Sequence, residues 1–94
     1  MSSYLKDPAA TLTYTIDWTA NYLIDDDILS STWRLEPQET NGLVIEGSDV
    51  ASNVTRIRVS GGIPGHVYRL ANRITLAGGD SDERDIIIRI GERS

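Results

Sequence analysis

Apolar and polar side chains alternate with a period of two along most of this chain. In TLTYTIDW, residues 11–18, Leu12, Tyr14, Ile16 and Trp18 fall on one side and Thr11, Thr13, Thr15 and Asp17 on the other. Successive strand residues point to opposite faces of a sheet, so this is the pattern of a half-buried strand. ILSSTWRL, residues 28–35, groups Leu29, Ser31, Trp33 and Leu35 on one face. Glu36-Pro37 stops it, because proline cannot donate to a ladder. GLVIEG, residues 42–47, is short and bounded by glycines, which predicts a short edge strand. VTRIRVS, residues 54–60, turns Ile57 and Val59 inward and Arg56 and Arg58 outward. HVYRLANRITL, residues 66–76, sets Tyr68, Leu70, Asn72, Ile74 and Leu76 against Val67, Arg69, Ala71, Arg73 and Thr75. RDIIIRI, residues 84–90, has Ile86, Ile88 and Ile90 inward, and a further short strand is expected at residues 3–5, ahead of the Asp7-Pro8 turn.

No segment keeps a helical period over three turns. Six to seven short strands with turn signals at regular spacing predict an all-β antiparallel sandwich or barrel, and the corner before Tyr68 together with Trp33 selects an immunoglobulin-like antiparallel β-sandwich. At 94 residues the chain makes one domain, 1–94. SGGIPGHVYRL, residues 60–70, runs from a glycine-rich turn into a strand with a tyrosine at its start. In immunoglobulin-like sandwiches such a tyrosine bonds its hydroxyl back to the preceding corner, which is the role expected of Tyr68. In such sandwiches a buried tryptophan on the third strand packs against the opposite sheet, and Trp33 stands where one is expected. Tyr14 and Trp18 complete the expected core. Asn72 interrupts an apolar row, and two readings are open: a hydrogen-bonded amide inside the core, or a bulge that shifts the inward set.

Composition narrows the function. Eleven isoleucines and no phenylalanine give an aliphatic core, and the absence of cysteine removes disulfides and thiolate metal sites. A net charge of −5 argues against nonspecific nucleic-acid binding, since nothing would replace the phosphate counterions. No segment resembles a signal peptide or approaches membrane-spanning length, so no membrane partner is expected. Lys6 is the one lysine, and the remaining fixed cations are arginines, a preference shared by protein interfaces and by codon bias.

A search for chemistry returns little. Asp25, Asp26 and Asp27 form an acidic run without EF-hand spacing, and in the second acidic loop, GGDSDERD, residues 78–85, Gly78-Gly79-Asp80 reads as the turn between the last two strands. Neither predicts a metal site. His66, the sole histidine, sits beside a glycine turn, and no serine lies in a nucleophile elbow. No catalytic residue, cofactor or metal is expected, and the chain does not read as an enzyme. Tyr22, Leu23 and Ile24 are apolar residues in a connection; they either dock a partner or fold over one end of the sandwich. Arg56, Arg58, Arg69 and Arg73 would form one partner-binding stripe if their strands were neighbours.

Taken together, KDPAATLTYTIDW, SSTW, SGGIPGHVYRLANRIT and DERDIIIRI resemble small structural proteins of tailed bacteriophages, the fibre–tail adaptors. The resemblance spans residues 6–18, 30–33 and 60–90 and rests on the order and spacing of the segments. It implies an immunoglobulin-like virion component at the neck or tail, assembled in the bacterial host cytoplasm. It would be present in several symmetric copies and would join fibres to the tail or portal region through contacts with other virion proteins. A capsid decoration or head-fibre base protein is the nearest alternative. A carbohydrate-binding sandwich that uses Trp18, Tyr22 or the acidic loops is the alternative from another class.

Overall fold

The alternating segments fold as strands because each can hide one face only by packing against a second sheet. The computed structural model describes residues 2–19 and 27–91. Seven strands follow in chain order: β1 (Ser2–Lys6), β2 (Thr11–Asp17), β3 (Ile28–Glu36), β4 (Leu43–Ala51), β5 (Val54–Gly61), β6 (Val67–Leu76) and β7 (Ser81–Ile90). They form a four-stranded sheet of order β1-β7-β6-β3 and a three-stranded sheet of order β2-β5-β4. The architecture is an immunoglobulin-like β-sandwich. All pairings are antiparallel except one: β1 runs parallel to β7, with Ser2 beside Ile86 and Lys6 beside Ile90.

The core lies where the two inner faces meet. Tyr14 and Ile16 from β2, Ile57 and Val59 from β5, Leu70 and Ile74 from β6, and Ile86, Ile88 and Ile90 from β7 all belong to one buried cluster. Trp18, just past the end of β2, and Tyr68, near the start of β6, are both 0% exposed. Trp33 differs from its expected place. It is half-buried and packs on the cluster from the rim, while Trp18 holds the centre. The reason is topological, since β3 is an outer strand of its sheet and has no neighbour on its far side. Trp33 Nε1 is buried without a hydrogen-bond partner among the described residues.

Two irregularities account for other departures from the sequence pattern. The ladder between β3 and β6 shifts between Ile28 and Ser30. A bulge of this kind flips the side chains that follow it, so Ile28 faces the cluster and Leu29 is 70% exposed, not inward. The ladder between β4 and β5 shifts between Ile45 and Gly47. Gly47 therefore does not end β4; the strand continues through it to Ala51 and is nine residues long rather than short. It is an edge strand all the same.

Asn72 is a hydrogen-bonded core residue, and neither ladder shifts register where it passes Asn72: the neighbours Trp33 and Arg84 stand directly opposite. Thr55 Oγ1 donates to Asn72 Oδ1 at 2.7 Å, and Trp18 Nε1 lies 3.2 Å from the same oxygen and 3.2 Å from Thr55 Oγ1. The Asn72 amide nitrogen donates to Ser31 Oγ at 2.8 Å and to the Thr32 carbonyl at 3.0 Å. Thr55 stands on one sheet and Asn72 on the other, so the amide ties the two together at full burial. Lys6 is also fully buried, a position that its composition alone does not suggest. Its ammonium donates to the carbonyls of Gly61 at 2.7 Å and Asp7 at 3.0 Å, and burial lowers its pKa from the ordinary value.

Candidate partner-binding surface

Tyr68 makes the corner bond expected of it, and one further partner joins in. The Ile63 N–H donates to the Tyr68 hydroxyl at 3.2 Å, and that hydroxyl donates to Glu39 Oε1 at 2.6 Å. His66 Nδ1 lies 3.1 and 3.2 Å from the two Glu39 carboxylate oxygens. The carboxylate thus fastens the connection between β3 and β4 to the corner before β6. Gly42 makes the approach possible, because a Cβ there would lie 3.1 Å from the Tyr68 hydroxyl and 2.9 Å from Glu39 Cβ. Nothing in the sequence spacing points to Glu39, which lies 29 residues from Tyr68.

Hydrogen bonds from Tyr68, and then from His66, hold the Glu39 carboxyl below its ordinary range, while burial and Glu39 push the Tyr68 hydroxyl up. A carboxyl that titrates lower when folded stabilises the fold above the unfolded value, about 4.3 for glutamate, and that contribution is lost as pH falls through the folded value. Urea unfolding midpoints measured from pH 7 down to pH 3 are therefore expected to fall more steeply for the wild type than for Glu39→Gln. Parallel curves would show that the clamp contributes nothing through ionisation.

The arginines singled out in the sequence do not form one stripe. Arg56 and Arg58 stand on β5 and Arg69 and Arg73 on β6, in different sheets, so the two pairs point away from opposite sides of the sandwich. Arg56 pairs with Asp49 at 2.7 Å. Arg69 pairs with Asp85 at 2.8 Å and Glu36 at 3.3 Å, and Arg34 reaches Glu36 and Glu83. Arg73 contacts Ser81 Oγ at 3.3 Å. The outer face of the four-stranded sheet is thus largely a lattice of internally paired charge. Exposed pairs of this kind contribute little to stability, but a neutralised lattice offers little net charge to a partner. Arg58, beside Thr13 and Gly47, has no ion-pair partner among the described residues.

The same outer face is different at its other end. Leu5 and Val67 are 46% and 50% exposed, and Arg89 lies between them in the ladder, opposite Leu5 on one side and Val67 on the other. With Ile87 and Gly91 these residues border a groove of about 700 Å³. Tyr22, Leu23 and Ile24 lie outside the described residues, as do Asp25 and Asp26. Trp18 is wholly buried, so it presents no ring to a sugar. Among the described residues no three His, Cys, Asp or Glu side chains come together to hold a metal ion, and no helix is long and apolar enough to cross a membrane.

A family model described as podophage GP4 fiber-tail adaptor protein gp77 matches residues 6–89. The chain belongs to this family. The gp77 family is described as that of a podophage adaptor between fibre and tail. The sandwich also resembles the solution structure of the PKD domain from KIAA 1837 protein, with a TM-score of 0.61 at 16% identity, over 100% of this gp77-family chain and 84% of that one. At that identity the likeness concerns the fold. No curated protein sequence matches the chain.

Proposed function

We propose that this domain is a virion component that joins tail fibres to the tail or portal region of a podophage particle. It acts as a passive protein–protein adaptor in several symmetric copies and is assembled into the particle in the host cytoplasm. The observation that carries the reading is the family match over residues 6–89. The fold is consistent with it: strand edges that accept another chain, and an outer face whose charges are mostly satisfied internally. On this reading Arg58 and Arg73, which lack a carboxylate partner among the described residues, are the members of the arginine set free to meet acidic groups on a partner.

The test is particle assembly. Particles made without this chain are expected to carry tails that lack fibres, and purified chain added back should restore fibre attachment. Quantitative mass spectrometry of complete particles should give a ring-like copy number. Fibres that attach normally without the chain, or a copy number that covers the whole shell, would overturn the adaptor role.

A further inference from the structure

β1 is an outer strand, and its far edge is unguarded. Gly91 N–H donates to the Lys6 carbonyl at 3.0 Å, which fixes the phase of the parallel ladder. Lys6 and Tyr4 turn their main-chain groups toward β7, so Ser3 and Leu5 present theirs to the open edge. Natural sheets block such edges with bulges, prolines or charged side chains. Three other edges of this sandwich show these devices: β3 and β4 are bulged, and the part of β7 that β1 leaves uncovered carries Asp82, Glu83, Arg84 and Asp85. β2, the remaining outer strand, has neither bulge nor proline, but its exposed face carries Thr11, Thr13 and Thr15 and offers no apolar patch. β1 has no bulge and no proline, and its one charged residue, Lys6, is buried.

The surface beside this edge is apolar with one cation. Leu5 and Val67 flank Arg89, and Ile87 lies two residues before Arg89 on the same face. Gly91 lets Leu5 lie flat there, because a Cβ would stand 3.2 Å from Leu5 Cδ1. Arg34, Arg69, Arg73 and Arg84 all have side-chain acceptors. Among the described residues of this sheet Arg89 alone of the arginines has none, although it sits between two exposed apolar side chains. Strands lie about 4.8 Å apart, so a guanidinium one strand in from the edge can reach a side chain on a strand added beyond β1.

We propose that the open edge of β1, together with Leu5, Val67, Ile87 and Arg89, receives an extended segment of a partner protein that carries an acidic residue among apolar ones. This rests on the adaptor reading only for the kind of partner; the surface itself is argued from the fold. Main-chain bonds to Ser3 and Leu5 supply affinity, the apolar patch fixes the segment's face, and the carboxylate on Arg89 sets its register.

The experiment is site-specific photo-crosslinking in cells producing the particle, with the full chain carrying p-benzoylphenylalanine at position 5 or 67, or at position 44 or 50 on β4 as controls. Positions 5 and 67 are expected to capture a peptide of one other protein that contains an aspartate or glutamate. Arg89→Glu, confirmed as folded by its melting curve, should lower that yield about tenfold or more, and changing the captured acidic residue to lysine should restore it. Capture only of a second copy of this chain, capture from β4 alone, or a yield indifferent to Arg89→Glu would overturn the proposal. The presence of the chain in purified particles is scored separately, so failure of the adaptor role and failure of this surface give different results.

Discussion

Trp18→Ala is expected to destabilise the domain by about 4 kcal/mol, in the range for removing a buried tryptophan. The ring is fully buried at the centre of the cluster, and its indole N–H is shared between Thr55 and Asn72 on opposite sheets. Truncation leaves a cavity at the place where the sheets are tied and removes a donor from the polar cluster. For a domain of this size the melting temperature should fall by about 15–30 °C. Urea unfolding followed by circular dichroism measures the loss, and a change below about 1 kcal/mol would mean that the centre of the core lies elsewhere. Trp33→Ala, at the rim, should cost clearly less.

Asn72→Leu is the second large expectation, at about 3 kcal/mol. The replacement is close in volume and apolar, so a naive burial argument would predict a gain. It instead leaves the Thr55 hydroxyl, the Trp18 N–H, the Ser31 hydroxyl and the Thr32 carbonyl without the amide that serves them. A buried group deprived of its partner costs more than the net worth of the bond it lost. Because Trp18 and Asn72 share one bond network, the double variant should lose less than the two single losses combined, by about 0.5–3 kcal/mol. Strict additivity in the unfolding free energies would show that the two side chains do not act together.

Much of the fold was legible because a period of two is a direct record of which face each residue takes. It placed Tyr14, Ile57, Val59, Ile86, Ile88 and Ile90 in the core, and the glycine-rich turn before Tyr68 marked the corner. What escaped depends on pairing partners, which a single strand's pattern does not record. The bulge at Ile28 and Ser30 that exposes Leu29 is a property of two strands, as is the separation of Arg56 and Arg58 from Arg69 and Arg73. Glu39 and Lys6 take their roles from distant backbone: one from the corner at Ile63 to Tyr68, the other from Gly61. The patch around Arg89 had no signature either, because Leu5, Val67 and Arg89 become neighbours only through the ladders that join β1 and β6 to β7.

The parallel seam between β1 and β7 has a consequence for timing. Ser2 sits beside Ile86, so β1 has no sheet to join until β7 has been synthesised and placed against β6. Contacts between such distant positions close late, after the more local hairpins. The proposed seat for a partner strand therefore forms only once β7 has taken its place beside β6, so the edge and the apolar patch appear together with the finished sheet.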